Sequence, residues 1–249
     1  MFRNRKKRPD VIQTARGQRV FAIGDIHGRY DLLEQILDKV LSRFQSPHHF
    51  GKFNRLIFLG DIIDRGPDSH KCLRAVHHLV SNYGAELVIG NHEDLLLHTM
   101  KGDQEACRIW LERAGGLATL KSFDISPPLP HEDDIDFGER LKQAIPEKYT
   151  KMLEDAPTTL RSGDYLFVHA GVKPGVPLAN QENFDLFFIR DEFTQSQDWH
   201  GAMVVHGHTI VEKVEQHPNR IAIDTGAYRS GRLSCLVLNG QKREILTTQ

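Results

Sequence analysis

Short, unbroken apolar runs recur through the N-terminal part of the chain, and each stops at a polar cluster led by glycine. Val20 to Ile23 runs into Gly24-Asp25-Ile26-His27-Gly28, Leu56 to Leu59 into Gly60-Asp61, and Leu87 to Ile89 into Gly90-Asn91-His92-Glu93. Runs of this length without polar alternation read as strands buried on both faces. Between them, Asp31 to Phe44 and Ser69 to Tyr83 carry apolar residues at three- and four-residue spacing, the stripe of an amphipathic helix. Strand, loop and helix therefore follow one another three times, which predicts an α/β organisation.

From Glu93 to Leu160 the pattern is helical, with breaks at Gly115-Gly116 and Pro127-Pro128. The acidic residues Glu132, Asp133, Asp134 and Asp136 read as a solvated loop, since EF-hand spacing is absent. After Tyr165 to Val168 strands dominate. Met203 to Val205, Arg220 to Ile223 and Leu233 to Leu238 are expected in a second sheet. The whole predicts one domain over residues 19–249, two packed mixed β-sheets in a β-sandwich flanked by α-helices. Residues 1–18, basic from Arg3 to Arg8, read as a solvated tail.

Composition narrows the partners. A net charge of −1 gives no bulk attraction to nucleic acid or membrane. No apolar run nears the ~20 residues of a membrane helix, and none follows the basic N-terminus as in a signal peptide. Cys72, Cys107 and Cys235 form no CxxC pair, which argues against a zinc knuckle or disulfide framework and predicts a cytoplasmic protein. The 14 histidines change the picture, because imidazole is the commonest metal ligand and the side chain suited to proton transfer near neutral pH.

In open α/β sheets ligands bind beyond the C-terminal ends of the strands. Asp25 and His27, Asp61, Asn91 and His92, His169 and His208 all follow predicted strands. Carboxylate, imidazole and amide oxygen together suit manganese, iron or zinc. A single such loop is explained by turn formation; the recurrence is what points to a metal site.

Gly24-Asp25-Ile26-His27-Gly28, Gly60-Asp61-Ile62-Ile63-Asp64-Arg65-Gly66 and Gly90-Asn91-His92-Glu93 resemble the three signature blocks of the phosphoprotein phosphatases, within the calcineurin-like metallophosphoesterases. Val168 to Gly171, Phe188 to Glu192, His206 to Thr209 and Ile223 to Ala227 resemble later blocks of its bacterial and phage branch, as does Trp110-Leu111 with Gly115-Gly116. The resemblance covers about Arg19 to Val237 and implies the metallophosphoesterase fold. It also implies two metal ions, manganese first with iron or zinc as alternatives. Asp25 and His27 would bind the first, Asp61 would bridge both, and Asn91, His169 and His208 would hold the second. A hydroxide bridging the metals would attack phosphorus in line. Arg65 and Arg190 would clamp the phosphoryl oxygens, with His92 as general acid and Asp64 holding its imidazolium.

In a continuous strand His206 would face the same side as His208, and it is read as a neighbouring or outer-sphere residue. His48, His49, His77, His78, His98, His131, His200 and His217 read as surface or helix-face histidines, and Trp110 and Trp199 as core or rim residues. The expected function is a bacterial-type serine/threonine protein phosphatase acting on phosphorylated proteins or small phosphoesters. The alternatives are a diadenosine tetraphosphate-type hydrolase and a catalytically silent binding module. Neither a GxSxG elbow nor a GxxxxGK[ST] loop is present. Oligomeric state has no signature here.

Overall fold

The computed structural model describes residues 7–44 and 53–248. His48, His49 and the basic residues before Lys7 lie outside the described residues. The first half contains β1 (Gln18–Ile23), α1 (Tyr30–Phe44), β2 (Phe53–Phe58), α2 (Ser69–Tyr83) and β3 (Glu86–Leu87). A helical stretch follows: α3 (Asn91–Met100), α4 (Gln104–Ile109), α5 (Gly116–Ser122), α6 (Asp134–Ala144) and α7 (Glu147–Glu154). The second half holds β4 (Thr159–Ser162), β5 (Tyr165–Val168), α8 (Asn183–Phe188), α9 (Asp191–Thr194), β6 (Met203–His206), β7 (Glu215–Gln216), β8 (Arg220–Ala222), α10 (Ala227–Ser230), β9 (Ser234–Asn239) and β10 (Lys242–Thr247).

Two five-stranded mixed sheets result, ordered β10-β9-β1-β2-β3 and β4-β5-β6-β8-β7. In the first, β1, β2 and β3 run parallel, with β9 and β10 antiparallel at one side. In the second, β5, β6 and β8 are parallel, and the outer strands β4 and β7 are antiparallel. Period-two alternation sends successive side chains to opposite faces. Val20, Ala22, Ile57 and Leu59 meet Phe167, Val205 and Ile221 between the sheets, while Phe21, Ile23 and Phe58 join Leu33, Ile36 and Val76 of α1 and α2. That double burial is why these strands lack polar alternation.

Two expectations are corrected. The run ending at Leu238 belongs to the first sheet, where β9 pairs antiparallel with β1. Leu236 and Leu238 face the second sheet, whereas Cys235 and Val237 face the helices. The run itself marks a strand buried on both faces, but says nothing of which neighbour fills its ladder. The acidic cluster is likewise more ordered than a loop. Asp133 caps α6 by accepting the N–H of Asp136, and Asp134 and Asp136 occupy the first turn, where the helix dipole favours negative charge. Glu132 accepts from Arg140 at 2.6 Å.

Among the described residues no helix is long and apolar enough to cross a membrane. The parallel strands of both sheets end beside one another, and the polar residues that follow them converge there.

Candidate metal centre

The loops after the strands are held in unusual backbone conformations. Among the described residues six non-glycine residues have positive φ, and five of them lie here: His27, Asp61, Asp64, Arg65 and His208. Such conformations persist where surrounding bonds over-determine them. Glu93 supplies many of those bonds. Its fully buried carboxylate accepts the backbone N–H groups of Ile62 at 2.7 Å, Asp61 at 2.8 Å, Gly90 at 3.2 Å and Ile63 at 3.3 Å. The N–H groups of Ile26 and His27 in turn donate to the Asp61 carbonyl at 3.0 and 2.8 Å. Two glycines permit the close approach: a Cβ on Gly90 would collide with Asp61 Oδ1, and one on Gly207 with Asp25 Oδ1.

Asp61 stands at the middle of the cluster. Its Oδ2 is 3.5 Å from His27 Nε2 and 3.6 Å from His92 Nε2, while Oδ1 is 3.3 Å from His169 Nε2. Each of these imidazoles is oriented from behind. Nδ1–H donates to the carbonyl of Ile63 from His27 at 3.0 Å, to that of Leu59 from His169 at 2.7 Å, and to Asp64 Oδ2 from His92 at 2.6 Å. With the proton fixed on Nδ1, the Nε2 lone pairs of His27 and His169 face the centre. His169 Nε2 also lies 2.8 Å from Asn91 Oδ1 and 3.2 Å from His208 Nδ1.

Asp25 joins from the loop after β1. Its Oδ2 accepts the backbone N–H of His208 at 2.9 Å, whereas its Oδ1 is buried without a hydrogen-bond partner, as is His208 Nε2. Orphaned oxygen and nitrogen lone pairs converging in a buried, carboxylate-rich site are a donor set that a cation satisfies. Two groups have ligand atoms within 4.8 Å of one another, His27 with Asp61 and His92, and Asp61 with His169 and His208; Asp61 belongs to both. The first group contains His92 rather than Asp25. The Nδ1 of His92 is already engaged by Asp64, and its Nε2 lies 3.4 Å from Arg65 Nη2.

The electrostatics agree with cation binding. Burial alone would raise the pKa of Asp61, but His169, His92, His27 and His208 outweigh it and hold the carboxyl below its usual range. Burial, helped by His92, pushes His27 down to about 3, and burial lowers His169 and His208. Neutral imidazoles around a carboxylate are the ligand state that metals require. Burial, with the charges of Asp224 and Asp61, pushes Asp25 well up, a cost that positive charge in the site removes. His92 differs: burial lowers it, yet Asp61 and Asp64 more than compensate and raise it.

The arginines lie at the rim, and both are exposed. Arg65 rests over the Tyr228 ring, with Cζ 4.6 Å from the centroid, and donates from Nη1 to the Tyr228 hydroxyl. Arg190 donates to the carbonyl of His208 at 3.4 Å rather than pairing with Glu192. His206 does not share a face with His208. The strand ends at His206, whose ring packs edge-on against Phe193 at 5.0 Å, while His208 leaves at φ +60°.

The calcineurin-like phosphoesterase model matches residues 18–229. The chain belongs to the calcineurin-like phosphoesterase family. This calcineurin-like phosphoesterase is 30% identical over 236 residues to serine/threonine-protein phosphatase 2 of Escherichia coli (strain K12), covering 86% of the chain and 90% of that protein. It is 27% identical over 231 residues to the asymmetrical bis(5'-nucleosyl)-tetraphosphatase PrpE of Bacillus subtilis (strain 168), covering 85% and 87%. Among solved structures, a cold-active protein tyrosine phosphatase superposes with a TM-score of 0.56 at 19% identity, covering 97% of this chain and 82% of that one, a likeness of fold.

Several residues of this calcineurin-like phosphoesterase escaped the sequence reading. Tyr228 under Arg65 and Asp224 beside Asp25 sit in or next to a recognised block, but no local pattern reveals what they touch. Burial pushes Asp224 up to about 6. Glu93 was visible as part of a motif, not as the group binding four backbone N–H groups. Trp110 proves to be fully buried, with its indole N–H aimed at Asp64.

Proposed function

We propose that this metallophosphoesterase is a protein phosphatase that hydrolyses phosphate monoesters on serine or threonine side chains, through one catalytic domain spanning residues 19–249. The observation that carries this reading is the buried His92–Asp64 pair at 2.6 Å, with His92 Nε2 turned toward Asp61 and Arg65 at the rim. It supports an acid for a departing alkoxide beside a group that grips phosphate. Asp25, His27 and Asp61 would hold one metal, and Asp61, Asn91, His169 and His208 the other, with manganese preferred over iron or zinc. Bound metals would supply Lewis acidity, lowering the pKa of water and screening the charge of the phosphate.

The chain's own residues do the rest. Arg65 and Arg190 bind and orient the phosphoryl oxygens, each offering a planar fork of N–H donors. A water oxygen forms the new bond to phosphorus and sheds a proton to solvent as the bond to the leaving oxygen breaks; the electron pair of the broken bond stays on the leaving oxygen, which takes the proton from His92 Nε2. The imidazole is left neutral with Nδ1–H on Asp64, ready to be reprotonated by solvent. The exposure of both arginines supports a substrate as large as a protein, because a phosphorylated side chain reaches them from outside. The Escherichia coli relative's name supports the same choice.

A second reading, hydrolysis of dinucleoside tetraphosphates, is supported by the name of the Bacillus subtilis relative. The complete donor set argues against a silent binding module. The buried, unpaired Cys72, Cys107 and Cys235 support a cytoplasmic location. The deciding experiment compares turnover of a phosphoserine peptide and of diadenosine tetraphosphate by one manganese-loaded sample. Faster turnover of the peptide is expected; strong activity on the dinucleotide alone overturns the choice.

A further inference from the structure

Resting on the reading of His92 as proton donor, we infer that Trp110 and Thr119 are positioning residues for that step, acting through Asp64. Asp64 is fully buried, and both its oxygens are engaged. Oδ2 accepts from His92 Nδ1 at 2.6 Å and from Trp110 Nε1 at 3.0 Å, while Oδ1 accepts from Thr119 Oγ1 at 2.6 Å and from Trp110 Nε1 at 3.1 Å. The Thr119 hydroxyl also accepts the N–H of Asp64 itself at 3.0 Å. One residue thus holds both the carboxylate and the backbone beneath it.

Neither partner comes from the strand-end loops. Both lie on the helical excursion after α4, where Trp110 to Ala114 form a wider π-type turn before α5. Its two glycines bring it against the centre. A Cβ on Gly116 would stand 2.6 Å from the Trp110 ring carbons, so only glycine lets α5 begin on the indole face. Gly115, at φ +90°, accepts the N–H of Arg65 at 3.3 Å, and a Cβ there would press on Arg65 Cγ at 3.0 Å. A buried indole N–H needs an acceptor, and this one finds it in the carboxylate that orients His92 rather than in a backbone carbonyl.

The physical consequence concerns direction. A carboxylate held by one imidazole can rotate about its Cβ–Cγ bond and carry the ring with it. Donors on both oxygens stop that rotation, so His92 Nε2 stays turned toward the leaving oxygen. The effect belongs to leaving-group protonation, and so it matters for alkoxides and hardly for groups that leave unprotonated.

The test uses the full-length, manganese-loaded enzyme with phenyl phosphate, a poor leaving group, and p-nitrophenyl phosphate, a good one. Thr119→Val keeps the shape and removes the donor. It is expected to lower kcat on phenyl phosphate about tenfold more than on p-nitrophenyl phosphate, with KM unchanged. Thr119→Ser, which restores the hydroxyl, should recover the loss, and Trp110→Phe should reproduce the selective pattern. Adding Thr119→Val to His92→Asn should cost nothing further. Equal losses on both substrates, no recovery with serine, or a full additional loss in the double variant each overturn the proposal. If His92→Asn alone loses equally on both substrates, the acid reading falls and takes this inference with it. A selective His92→Asn loss that Thr119→Val fails to reproduce overturns the inference alone.

Discussion

The carboxylate of Glu93 accepts the backbone N–H of Asp61 at 2.8 Å, so a buried acid at the start of α3 fixes the loop whose side chain lies at the middle of the cluster. The same carboxylate takes three further N–H groups, and burial with the nearby Asp61 charge pushes its pKa up to about 7. Glu93→Leu strands these donors without water. Its expected cost is about 3–5 kcal/mol of stability, read as a fall in the urea midpoint of the metal-free protein. Glu93→Gln, which keeps one acceptor oxygen, should cost less than half as much. Equal stability of wild type and Glu93→Leu would exclude this role.

Gly207 lies against Asp25 Oδ1 so closely that a methyl group must displace the carboxylate. Gly207→Ala should therefore weaken metal uptake by about 10–100-fold while leaving far-ultraviolet circular dichroism unchanged. Elemental analysis after dialysis against limiting manganese gives the answer. Full retention of metal would mean that Asp25 is not a ligand.

Metal binding to a site whose buried atoms lack partners must stabilise the fold. At manganese 100-fold above its Kd the gain is about 2.7 kcal/mol, a Tm rise of roughly 5–10 °C for a chain of 249 residues. Chelation should reverse the rise, and Asp61→Asn should abolish it, since Asp61 alone belongs to both ligand groups. An unchanged rise in that variant contradicts a bridging Asp61.

Tyr228 carries Arg65 on its ring and accepts from it through the hydroxyl. Tyr228→Phe keeps the ring and should raise KM for a phosphopeptide about threefold; Tyr228→Leu removes both contacts and should raise it about tenfold. Identical KM values for the two variants would show that the ring contributes nothing.

Cys72, Cys107 and Cys235 are all buried, and burial pushes the Cys107 thiol up to about 11 and raises the other two as well. Buried, protonated thiols are poor nucleophiles. A thiol-exchange dye at pH 8 should label none of them in the folded protein and all after denaturation, with phosphoesterase activity unaffected by the native treatment. Rapid native labelling would contradict the packing around α2, α4 and β9.

How much of this was readable before folding is uneven. The runs Val20 to Ile23 and Tyr165 to Val168, and the helix from Ser69 to Tyr83, were legible because periodicity is a local property that burial imposes on neighbouring positions. The blocks that carry the candidate donors stood out for a similar reason: each is a short stretch whose glycines and acids stand next to one another in the chain. Strand pairing was not. Ser234 to Asn239 has the composition of a central strand, and only three-dimensional packing sets it against β1 rather than in the second sheet.

Contacts across long separations were equally silent. Asp64 meets Thr119, Arg65 meets Tyr228, and Glu93 reaches back to Asp61. Amino-acid order alone thus determined where the central strands and the helices α1 and α2 lie and which chemical groups follow those strands, but not the short outer strands β4, β7 and β10. Their convergence, the orientation of His92 by Asp64, and the support of Asp64 by Trp110 and Thr119 were decided only once distant segments packed together. A hydrogen bond depends on position in space, and separation along the chain does not encode it.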